Sequence, residues 1–272
     1  MFSAPRTYPA VGLFSRTHII AMIICFILIG VAVVFTRKMK KSTFLKFLKI
    51  LAIVVSCLEL FKIIWSLANG QTRVNNWVPL YFCSIFIYSL WFTWSKNDFI
   101  KEMGYAFIAL AGVVAGAVFI ISPSTSFNTY PIFHFQCLYS MVYHSLMVYC
   151  GIMIHVTKSV KVDMKLVIKY CLFCAVFMTM ALIINLCCNS NLMFISTPSG
   201  IPLPFLFDIY NVSKALYTII IIIAHLLIGF IVYGLICLIN LCKRKSENDM
   251  SLSSPDALQE EDEDEEVNKK HV

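Results

Sequence analysis

Charge is what this chain has least of. Asp, Glu, Lys and Arg make up 14% of its 272 residues, while apolar residues make up 59%. That scarcity excludes an ordinary soluble surface, for which about a quarter of the residues carry charge. Also missing are an internal repeat, a second polar domain large enough to fold alone, and a cleavable leader. The first apolar run is long and followed by basic residues, so it is expected to remain as an anchor. Cys171-x-x-Cys174 lies mid-helix with no histidine neighbour and no second pair. It is therefore not expected to bind metal or act in redox exchange. Neither a metal nor a cofactor is expected anywhere in the chain.

What the chain has instead is a series of apolar runs, each long enough to cross ~30 Å of hydrocarbon at ~1.5 Å per residue. The expected fold is all-α, a polytopic bundle of seven transmembrane helices. They run approximately over His18–Thr36, Ile50–Leu67, Val78–Trp94, Gly104–Ile121, Phe135–Val156, Val167–Cys188 and Ala215–Cys242. The stretch 1–17 is a short N-terminal segment, 18–245 the membrane domain, and 246–272 a disordered acidic tail carrying Glu260–Glu266. Lys and Arg concentrate on alternate loops, Arg37–Lys41, then Lys96 and Lys101, then Lys158, Lys161 and Lys165, then Lys243–Lys245, against only Arg73 and Lys214 on the opposite ones. The expected orientation is N-terminus outside or lumenal and C-terminus cytoplasmic. The net charge of +7 thus reflects topology, and nucleic acid is not an expected partner. Gly112-x-x-x-Gly116 is a close-packing signal between helices.

Ionisable and amide groups inside the runs are the candidates for chemistry, because each is costly in lipid. His144 lies ~13–15 Å below the outer surface by helical rise, and Cys83 ~8 Å below it. Glu59 comes out near mid-membrane, and Asn185, with Asn189 and Asn191, near the outer end of the sixth run. Cysteine with histidine suits acyl transfer: the thiolate attacks and the imidazole takes its proton. Glu59 or Asn185 would orient the histidine, and Asn189 and Asn191 would bind an oxyanion or head group. Taken without context, one cysteine of eleven is more often a small hydrophobe. Glu59 and Lys62, three apart, are expected to neutralise each other. His225 is read first as a helix–helix contact.

Three stretches carry a resemblance: Val78-Pro-Leu-Tyr-Phe-Cys83; Ser122-Pro through Tyr130-Pro-Ile-Phe-His134 to His144-Ser145; and Asn185 through Asn189-Ser-Asn191-Leu-Met-Phe194 to Pro198. In that order they resemble the signatures of the YwaF and transmembrane protein 164 family, integral membrane proteins distantly like the androgen-induced hydrolases. The resemblance implies phospholipid acyl transfer through a Cys and a His, which fall on Cys83 and His144, with phospholipid and lysophospholipid as substrates. Ser145, Tyr81 and Leu192 depart from the bacterial pattern of Gly, His and Tyr. The alternatives are an ion- or proton-coupled transporter using Glu59, Lys62, His144 and His225, or a family member without activity. Against transport, no pair of broken helices is expected.

Overall fold

Hydrocarbon cannot satisfy a backbone amide, so a chain this apolar must close its hydrogen bonds within helices. The computed structural model describes residues 1–201 and 203–252, and the described residues form helices, turns and loops without a strand. Two compact units divide the chain, residues 1–230 and 231–272. The acidic block Glu260–Glu266 lies outside the described residues.

The helices are α1 (Arg16–Thr36), α2 (Lys41–Ala68), α3 (Val74–Trp77), α4 (Ile85–Phe92), α5 (Asp98–Leu110) and α6 (Gly112–Ile121). They continue with α7 (Ser124–Phe127), α8 (Phe135–Val156), α9 (Met164–Cys188), α10 (Phe205–Val212) and α11 (Lys214–Leu252), with a 3-10 turn at Leu192–Phe194. Four of them, α1, α8, α9 and α11 over Lys214–Ser246, are long and apolar enough to cross a membrane. A fifth span results if the bent pair Asp98–Leu110 and Gly112–Phe127 counts as one. The protein is an integral, multi-pass membrane protein. The last helix continues to Leu252, past the point where the tail was expected to begin.

Side-chain caps set several helix starts. Ser15 accepts from His18 N, Asn97 from Phe99 N, His134 from Gln136 N and Asp163 from Leu166 N. Each satisfies a backbone donor with no intrahelical partner. At the far end of α9, Asn189 adopts the left-handed conformation (φ 49°, ψ 48°) that stops the helix.

α8 is the central helix, packed against α1, α2, α5, α6 and α7. Its approach to α6 depends on missing side chains. A Cβ on Gly116 would lie 2.7 Å from the His144 carbonyl oxygen, and one on Gly151 2.8 Å from Val113 N. Only glycine permits backbones so near, as Gly112-x-x-x-Gly116 led us to expect.

Two expected spans differ from their sequence reading. The fourth is broken at Ala111, and its two parts meet at 42°. There Gly112 begins the second part, and His155 Nε2 donates to Ala109 O at 2.9 Å, a side-chain donor entering the carbonyl ladder at the bend. The third is helical only from Ile85. Pro79 has no N–H and drives Val78 into extended backbone (φ −79°, ψ 118°), so 78–84 is a turn and not helix.

Candidate functional site

The turn before α4 holds Cys83 beside the middle of α8. The half-buried thiol donates to Ala115 O on α6 at 3.6 Å. Its own carbonyl accepts twice, from Phe86 N at 3.1 Å and from the Tyr143 hydroxyl at 2.9 Å. The Tyr143 hydroxyl thus gives this irregular turn a hydrogen-bond donor from α8.

His144 is 6% exposed. Its Nδ1 lies 2.7 Å from Ser140 O one turn back. A carbonyl accepts only, so Nδ1 carries the proton and Nε2 carries the lone pair. That Nε2 is buried and has no hydrogen-bond partner among the described residues. The imidazole stacks on Phe119 of α6 at 3.5 Å and 5°, and the Tyr143 ring stands edge-on to it at 5.1 Å. Cys83 and His144 thus contact successive turns of one helix, at Ala115 and Phe119. They do not hydrogen-bond to each other.

The group that orients the histidine is the Ser140 carbonyl of its own helix. Neither Glu59 nor Asn185 fills that place. Glu59 is buried, accepts from Tyr139 Oη at 2.6 Å through Oε2, and pairs with Lys62 at 2.5 Å through Oε1.

The asparagines organise backbone. Asn185 Oδ1 accepts from Ser190 Oγ and Leu192 N, both at 2.7 Å, and its Nδ2 donates to Leu192 O. Asn191 Oδ1 accepts from Ser196 N and Thr197 N, and its Nδ2 donates to Thr197 O. Asn189 is the left-handed residue closing α9. His225 donates to Ile221 O, packs edge-on against Phe82 at 4.6 Å, and its carbonyl accepts from Tyr170 Oη.

Residues not singled out from the sequence join these parts. Asn75 Oδ1 accepts from Asn191 N, its Nδ2 donates to Tyr81 Oη at 3.1 Å, and the Tyr81 ring meets Phe194 at 5.6 Å. Tyr143 links Cys83 to the helix of His144. The three stretches quoted from the sequence therefore meet, the first with the second through Tyr143 and the first with the third through Asn75. Tyr139 and Tyr143, one turn apart beside His144 in an apolar run, were the available signal.

The TMEM164 family profile matches residues 13–229, which include all three stretches. The chain belongs to the TMEM164 family. No curated protein and no solved structure matches it.

A groove of about 190 Å³ runs along the junction of α2 and α8 in this TMEM164 family member. Val55 and Leu58 form one wall, and Leu138, Tyr139, Val142 and Tyr143 the other. The two tyrosines thus have an apolar face toward the groove and hydroxyls bonded to Glu59 and to the Cys83 carbonyl.

Proposed function

We propose that the protein is a membrane-embedded acyltransferase that moves phospholipid acyl chains through Cys83 and His144. The observation that carries this reading is the buried Nε2 lone pair of His144, without a partner, on the helix that touches the turn of Cys83. A buried acceptor left unpaired costs about 1–3 kcal/mol, so its retention calls for a use.

In the proposed reaction the Cys83 sulfhydryl proton passes to His144 Nε2. The thiolate attacks the ester carbonyl, forming a C–S bond. The ester C–O bond breaks, and the leaving glycerol oxygen takes the proton back from the imidazolium. A lysophospholipid hydroxyl then gives its proton to Nε2 and attacks the thioester. The new ester forms, the C–S bond breaks, and the sulfur recovers its proton. Transfer requires Cys83 and His144 to close to hydrogen-bond reach, which calls for the thiol to leave Ala115 O. The groove between α2 and α8 would take the donor chain, since its apolar wall adjoins the tyrosine that binds Cys83.

The same reading includes seven spans, with α2 and the 78–94 stretch joining α1, α5 with α6, α8, α9 and α11. The N-terminus would be outside or lumenal and the C-terminus cytoplasmic, following the alternation of Lys and Arg.

The test is lipid profiling of cells expressing the parent chain, Cys83→Ala or His144→Ala. The expected outcome is an altered acyl-chain composition with the parent alone. Identical profiles in all three would refute the enzyme. A proton-coupled transporter gains one observation, the broken span at Ala111. It predicts pH-dependent flux that survives Cys83→Ala.

A further inference from the structure

The thiol proposed as nucleophile sits on irregular backbone, the turn at residues 78–84. Ahead of α4 the turn is closed by short local bonds, Leu80 N to Val78 O, Ile85 N to Tyr81 O and Phe86 N to Cys83 O. None of these ties it to the helix that carries the imidazole. One side-chain bond does, from Tyr143 Oη to Cys83 O at 2.9 Å.

We propose that Tyr143 is a positioning residue for the Cys83–His144 pair, its hydroxyl fixing the nucleophile's turn against α8. This rests on the acyltransferase reading for its catalytic consequence, though not for the geometry. Tyr143 suits the task physically. It is 5% exposed, and its ring is wedged edge-on between Phe86 at 5.9 Å and His144 at 5.1 Å, so the phenol has little freedom. It is also the chain neighbour of His144, so one rigid backbone step connects the imidazole to the group that holds the thiol's carbonyl. The Cys83 carbonyl uses both lone pairs, one for Phe86 N and one for Tyr143, and losing the second frees the turn to shift. A tyrosine kept only for packing would be replaced by phenylalanine without consequence, and that difference is measurable.

The experiment uses the full chain in membranes and reads Cys83 directly. N-ethylmaleimide is added, and the modified Cys83 peptide is quantified by mass spectrometry against time. Acyl-transfer kcat and KM are measured alongside. Tyr143→Phe keeps the ring and removes the donor. The expected result is at least a threefold change in the Cys83 labelling rate, with kcat lowered about tenfold and KM little changed. Tyr149→Phe is the control. It removes a hydroxyl of the same helix that bonds Thr36 Oγ1 at 2.9 Å, and should leave Cys83 labelling as in the parent.

Parental labelling in Tyr143→Phe overturns the inference. If the parent shows no Cys83-dependent acyl transfer, the acyltransferase reading fails, and labelling still decides whether Tyr143 holds the turn. If Tyr143→Phe does not fold, 4-aminophenylalanine in place of Tyr143 restores a donor of similar size. Recovery of fold and parental labelling then supports the inference, and failure to recover them overturns it.

Discussion

Gly116 of α6 lies directly under His144 of α8, with an added Cβ placed 2.7 Å from the histidine's carbonyl oxygen and 2.7 Å from Val148 Cγ2. Gly116→Ala gains helix propensity of ~1 kcal/mol. It meets a backbone atom that cannot swing aside, an overpacking cost of about 1–3 kcal/mol. At Gly112 the nearest atom is Met147 O at 3.2 Å, which a small shift accommodates. The expected order of thermal midpoints in detergent is Gly112→Ala near the parent and Gly116→Ala below it. Gly116→Ala should also reduce any His144-dependent activity, since α8 must move at that residue. Equal midpoints for the two variants would show that the helices are not in contact there.

Glu59 and Lys62 make a second pair whose members depend on each other. The carboxylate is buried, bonded to Tyr139 Oη and paired with Lys62, whose side chain is 20% exposed. Removing one member of a fully buried pair costs about 3–5 kcal/mol, and replacing both with apolar groups is often near neutral. Lys62→Met strands the buried Glu59 carboxylate and is expected to cost about 3 kcal/mol. Glu59→Leu with Lys62→Met should then recover part of that loss. A double variant less stable than Lys62→Met would assign the pair a larger net contribution than burial allows.

How much of this was legible depends on how local the cause is. The span Phe135–Val156 has the same ends in sequence and structure, because Pro131, the His134 cap and an unbroken apolar run act within a few residues. The close approach of Gly112 and Gly116 was legible for the same reason. The third run was not. Its apolar composition suits a helix or a buried turn alike, and the bond that ties the turn to α8 comes from Tyr143, sixty residues from Cys83. The group that orients His144 is the backbone carbonyl of Ser140, four residues earlier, and a backbone atom leaves no mark in the residue types. The sequence marks Asn185 and Asn191 as polar groups near the outer end of the sixth run. The polar atoms they meet in the fold are largely the chain's own backbone, which residue types do not encode.

His134 gives a pH dependence outside the spans. Its Nδ1 accepts from Gln136 N at 3.1 Å, and its Nε2–H donates to Ser3 O at 3.0 Å. Burial holds its pKa below the ordinary value, against the hydrogen bond to Ser3 O. With the folded value depressed, this contribution is complete above ~6.5, the unfolded value, and is lost as pH falls below that toward the folded pKa. Protonation removes the acceptor for Gln136 N. Residues 1–12, which bond to Thr129, Tyr130 and Phe127 through Arg6, Val11 and Gly12, should exchange amide hydrogens faster at pH 5.5 than at pH 7.5 after correction for intrinsic rates. His134→Asn keeps a capping acceptor that does not titrate and should flatten the response. The same acid-induced rise in the variant would place the sensitive group elsewhere.

Asn185 separates a structural amide from a catalytic one. Its side chain closes the Leu192 N–H and C=O and holds Ser190 Oγ, all within the loop that ends at the Tyr81–Phe194 contact. Asn185→Ala leaves the N–H of buried Leu192 unpaired, at about 1–3 kcal/mol, and removes the partner of Ser190 Oγ, while Leu192 O keeps its bond from Ile195 N at 3.3 Å. The thermal midpoint is therefore expected to fall sharply, with loss of activity following loss of folded protein. An oxyanion donor would give the opposite signature: an unchanged midpoint and a kcat lowered about a hundredfold or more. Differential scanning fluorimetry in detergent, read beside acyl transfer per folded molecule, distinguishes the two. A stable but inactive Asn185→Ala would return Asn185 to the chemistry its position first suggested.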